Sequence, residues 1–103
     1  MLSYTIVDGH VVLLDNNRTL IEERQHRELI ARAIRGERNY LLCANVNAFK
    51  RAFCDIVRLC DSMELPYDSW FQQDRGVVRI GDGGIAVYVD GVTRPGGGWD
   101  PWR

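Results

Sequence analysis

No apolar run in the 103 residues approaches the roughly 18 that a membrane-spanning helix needs, so no membrane partner is expected. The three cysteines, Cys43, Cys54 and Cys60, include no Cys-x-x-Cys pair and no spacing suited to a zinc cage. Their odd number argues against a disulfide framework. The opening Met1-Leu2-Ser3-Tyr4 shows neither the basic flank nor the apolar stretch of a secretory signal. Free thiols in a cytoplasmic setting are the expectation. Lysine is almost missing: Lys50 stands alone against twelve arginines. With two histidines, His10 and His26, and no catalytic constellation in the sequence, neither a cofactor nor a metal is expected, and nothing marks an enzyme.

Charge is close to balanced, at a formal −1, but unevenly spread. Residues 18–58 carry nine basic and five acidic side chains, and the remainder four basic and nine acidic. Apolar (46%) and charged (26%) fractions are those of an ordinary globular chain, and the length suits one domain.

Two β-rich runs, residues 3–7 and 10–14, flank Asp8-Gly9, a strong hairpin signal because a type I′ turn needs positive φ at both central positions. Thr19-Leu20-Ile21-Glu22 matches a capping box that opens a helix from Leu20 to Arg35, with Gly36 as its stop. The helix presents an apolar stripe of Leu20, His26, Leu29, Ile30, Ala33 and Ile34. Residues 39–46 read as a buried strand, and Asn47 as the cap of a second helix ending near Met63. Phe49, Ala52, Phe53, Ile56, Cys60 and Met63 form that helix's stripe. Pro66 introduces a loop carrying Tyr67, Trp70 and Phe71. A second hairpin follows over residues 76–91, turning at Gly81–Gly84. The predicted order is ββαβαββ: a single α/β (α+β) domain over residues 1–91, with two helices packed on a mixed sheet. Residues 92–103, rich in glycine and proline, read as a flexible tail bearing Trp99 and Trp102.

Over residues 11–89 this order resembles the first half of a P-loop ATPase of the phage large-terminase type. Residues 11–14 stand for the strand, Asn17-Arg18-Thr19 for the start of the phosphate loop, and residues 40–46 for the next strand. Leu20 and Ile21 replace the loop's glycine and lysine, and Glu22 replaces the magnesium-binding hydroxyl. The resemblance therefore implies a degenerate loop without ATP hydrolysis.

His26, on the apolar face of the first helix, reads as a core-edge histidine, with Glu22 one turn earlier as its candidate partner. Cys54 has Lys50, Arg51 and Arg58 at helical neighbour positions, which would favour a thiolate. Arg24, Arg32 and Arg35 on one helix and Lys50, Arg51 and Arg58 on the other could follow phosphates, although Glu28, Glu37 and Asp55 interleave with them. Folding accounts least for the aromatics. Tyr67, Trp70, Phe71, Trp99, Trp102 and Arg103 have the composition of a binding surface. The tail that carries the last three either folds back over an apolar groove or docks on a partner. The expected function is a small non-enzymatic protein-binding module, of the accessory or inhibitory kind that phages and mobile elements encode. Edge pairing leaves a homodimer open. The alternatives are nucleic-acid binding through the helical arginines and a small enzyme using Cys54 or His26.

Overall fold

The computed structural model describes residues 4–7, 10–13, 20–91, 95 and 99–103, with side chains from Glu22 onward. Strands β1 (Tyr4–Val7) and β2 (His10–Leu13) pair antiparallel with Val7 opposite His10, the register of a two-residue connection. The Asp8-Gly9 turn itself and the Thr19 cap lie outside the described residues. Helix α1 (Leu20–Ile34) leads to β3 (Arg38–Cys43), then to helix α2 (Val46–Ser62). Three strands follow: β4 (Asp68–Phe71), β5 (Arg75–Ile80) and β6 (Gly83–Val89).

The hairpin β1–β2 forms a sheet of its own, and the main sheet has the order β3-β6-β5-β4. β3 runs parallel to β6 and the other pairs are antiparallel, so the sheet is mixed and the fold is α+β. Both helices pack on one face. Ile30 and Ala33 of α1 and Phe49, Ile56 and Leu59 of α2 close over Leu41, Val78, Ile85 and Val87. Alternation sends Leu42, Val77 and Ala86 to the second face, where they are buried outside that cluster.

The local chemistry is legible in the caps. Gly36, at φ +92°, ends α1, with the Gly36 and Glu37 amides bonded back to Ala33 and Arg32 carbonyls. α2 starts two residues earlier than the sequence suggests. Asn45, extended at φ −157°, accepts the Ala48 amide at 2.8 Å, so Asn45 and not Asn47 is the cap. Ile34 departs from the predicted stripe: it is 52% exposed, because α1 meets the sheet through Ile30 and Ala33. The predicted four-residue turn is the pair Gly81-Asp82, which leaves Gly83 and Gly84 inside β6. There a Cβ on Gly83 would come within 2.2 Å of the Ala33 carbonyl, and one on Gly84 within 2.8 Å of the Trp102 ring. The remaining difference is β4, a strand where Pro66 suggested only a loop. Its four residues have no alternating pattern of their own and are ordered by pairing with β5.

Candidate functional site

Two places gather chemically capable side chains. The first is the second face of the sheet and its open edge. Register aligns Tyr40, Ala86, Val77 and Trp70 in one row across β3, β6, β5 and β4, and Arg38, Gly84, Arg79 and Asp68 in the next. The end of the tail lies across these rows. Trp102 donates its indole N–H to the Tyr40 hydroxyl at 2.9 Å and meets the Tyr40 ring edge-on at 5.8 Å. Arg38 stacks over Trp102 at 5.5 Å. Arg79 donates to the carbonyls of Pro101 (3.0 Å) and Arg103. Asp100 accepts the Trp102 amide at 3.0 Å, which turns the chain tightly. Trp99 approaches Trp70 at 6.3 Å and has Arg75 over its ring at 5.7 Å. Of the two readings of the tail, the described residues 99–103 take the folded-back one.

A cleft of about 360 Å³ remains between this tail and the sheet edge. Trp70, Trp99, Val77 and Pro101 supply apolar lining, and Asp68, Asp100, Arg79 and Arg103 the charge. β4 bounds it and is exposed at all four residues. Its inner side pairs with β5, and among the described residues no strand pairs with its outer side. Trp70 (43% exposed) faces the cleft, whereas Phe71 (66% exposed) faces the helix layer, its ring 5.5 Å from Phe53. Tyr67 packs at the core margin and donates its hydroxyl to Asp61 at 2.8 Å, a bond that raises the Tyr67 pKa. The six aromatic and basic residues singled out in the sequence therefore divide: Trp70, Trp99 and Arg103 share the cleft, Trp102 is anchored beside it, and Tyr67 and Phe71 lie on the other side of the sheet.

The second place is the interface of α1 and α2. His26, 2% exposed, donates from Nδ1 to Asp55 at 2.6 Å, and Asp55 is 6% exposed. Arg58 donates to the other Asp55 oxygen at 2.9 Å and lies 3.7 Å from Glu23. The structure adds to one sequence expectation here and changes another. His26 bonds Asp55, 29 residues away, and the candidate partner Glu22 is itself buried and lines the same cleft. Asp55 belongs to the buried interface and not to a solvated face. The cleft, about 220 Å³, is also bounded by Arg51 and Cys54. Cys54 is the exposed thiol of the three. Burial pushes Cys43 up to about 12 and Cys60 up to about 11, so those two stay protonated.

The helical arginines do not form an unbroken basic face. Arg32 pairs with Glu28 at 2.9 Å, Arg35 lies 3.6 Å from Glu37, and Arg58 is held by Asp55. Arg24 and Lys50 are exposed, and Arg51 is half-buried in the cleft. Among the described residues no group of three or more acidic, histidine or cysteine side chains is placed to hold a metal, and no helix is long and apolar enough to cross a membrane.

No protein-family model matches the chain, and neither a curated protein nor a solved structure shows a significant similarity to it.

Proposed function

We propose that this chain is a protein-binding domain that takes up an extended segment of a partner by strand addition along β4. The observation that carries this reading is the state of that strand: all four residues are exposed, and each side of the sheet presents one exposed aromatic there, Trp70 or Phe71. Open edges usually carry lysine, proline or a covering segment that discourages pairing. β4 carries neither lysine nor proline within its span, and among the described residues no strand pairs with its outer side. Main-chain hydrogen bonds along an open edge supply affinity, and side chains on alternate faces supply selectivity. The test is a pull-down with the full chain against its Trp70→Ala/Phe71→Ala and Ser69→Pro variants. A partner retained equally by all three sinks the reading.

A second reading is favoured by one observation, the shared cleft of Cys54 and His26 with His26 held by Asp55. A thiol, an imidazole and an orienting carboxylate are the parts of a nucleophilic site. Here the test is the rate of iodoacetamide alkylation at Cys54. If His26→Gln and Asp55→Asn leave that rate unchanged, the histidine does not activate the thiol.

A further inference from the structure

We infer that the segment received by β4 carries a basic residue across from Asp68 and apolar residues across from Trp70 and Phe71. This rests on the strand-addition reading above and specifies its partner. Residues directly opposite one another in an antiparallel pair share a face of the sheet, with Cβ atoms about 5 Å apart. An incoming strand must therefore answer Asp68 and Trp70 on the cleft side and Phe71 on the helix side.

The molecule already contains one strand that satisfies β4, on its inner side. β5 places Arg79 opposite Asp68, Val77 opposite Trp70 and Val78 opposite Ser69. Yet Arg79 does not neutralise Asp68. Its guanidinium is drawn to the carbonyls of Pro101 and Arg103, and among the described residues no ion pair reaches Asp68. Arg103 bounds the same cleft and likewise makes no ion pair with Asp68 among the described residues. Asp100 adds a second carboxylate to the lining. Trp70 and Trp99 beside these carboxylates present aromatic walls, and Trp99 already accepts the Arg75 guanidinium on its ring. An arginine or lysine across from Asp68 completes an alternation of charge along the row, from Arg79 through Asp68 to the newcomer.

The β4 strand of a second copy is not the complement. Symmetric antiparallel pairing of two β4 strands keeps the faces matched only in registers that set a residue opposite its own counterpart. With Trp70 opposite Trp70, Asp68 meets Gln72; with Ser69 opposite Ser69, it meets Trp70. Neither register brings a cation to Asp68.

The test uses the full chain and blocked synthetic peptides, followed by NMR titration at low salt. The lead probe is Thr-Val-Val-Thr-Arg-Thr, which sets Val, Val, Thr and Arg against Phe71, Trp70, Ser69 and Asp68 in antiparallel order. Variants replace its Arg by norleucine or by Glu, and a further one carries N-methyl groups on alternate residues. The Arg peptide is expected to bind about threefold more tightly than the norleucine peptide and roughly tenfold more tightly than the Glu peptide, the scale of cross-strand charge pairs. Asp68→Lys should reverse the order of the Arg and Glu peptides. Equal binding of all three charge variants, with the N-methyl peptide inactive, overturns the charge assignment and leaves strand addition standing. Binding by the N-methyl peptide, or by none of them, overturns both.

Discussion

The α1–α2 interface and the β4 edge break the usual inside-outside rule in opposite directions. Between the helices, polar groups are buried; at the sheet edge, large apolar groups are exposed. Buried polar groups and exposed apolar patches are the informative departures in a globular protein, but these two differ in what completes them. His26 and Arg58 each bond one oxygen of Asp55, so that carboxylate is paired on both sides within the chain. Trp70 and Phe71 rest against one neighbouring ring each, and the strand they sit on lacks an outer partner among the described residues. The first arrangement orients two helices. The second presents a surface.

The comparison breaks most sharply at Asp55. Asp55→Ala leaves His26 and Arg58 without their shared carboxylate and should cost about 3–5 kcal/mol, the scale for removing one partner of a buried ion pair. Urea denaturation reads this directly, and the His26→Leu/Asp55→Leu double variant should recover most of the loss. A single-variant cost below about 1 kcal/mol would mean that the pair does not hold the helices.

An intermediate effect is expected on the sheet's second face. A Cβ at Gly84 would stand 2.8 Å from the Trp102 ring and 2.7 Å from the Val78 carbonyl. Gly84→Ala should therefore destabilise by about 1–3 kcal/mol through overpacking. All three tryptophans lie on or beside this face, so a displaced tail should shift intrinsic fluorescence to the red. The cost should fall in a Trp102→Ala background, where the contacts with the Val78 carbonyl and the Arg79 Cα remain.

At the edge itself the balance inverts. Trp70→Ala should change stability by less than about 1 kcal/mol, as exposed positions do, while weakening partner capture by about 2 kcal/mol, the scale of an interface anchor. A Trp70→Ala variant that unfolds readily yet binds normally would make Trp70 a structural residue and erase the contrast.

The last effect is confined to high pH. In the unfolded chain Cys43 and Cys60 ionise near 9.0; in the fold they do so only near about 12 and about 11. Above pH 9 the unfolded chain therefore loses protons that the fold retains, and stability should fall as the pH rises from about 9 to about 12. Cys43→Ala should flatten that fall in urea titrations repeated across the range.

Much of the scaffold is legible one segment at a time, because its signals are local. Gly36 stops α1 through its own positive φ, and the 3.6-residue stripe from Phe49 to Cys60 becomes the buried face of α2. The site is less legible because its partners are distant in sequence. Nothing near His26 indicates Asp55, since the bond exists only when two helices cross 29 residues apart. Tyr40, Arg38 and Arg79 carry no hint that they receive Trp102 and the Pro101 carbonyl, because a sheet must first bring three strands under the tail.

The sequence by itself determined the α+β class, the helices and their apolar faces, and the aromatic and arginine composition of the surface. Each of these follows from short-range sterics and periodic burial. Tertiary structure alone decided that residues 68–71 form an edge strand, that the β1–β2 hairpin forms a two-stranded sheet of its own, and that Asp55 is buried. Those outcomes depend on which strand pairs with which and where two helices cross, and contacts between distant residues set both.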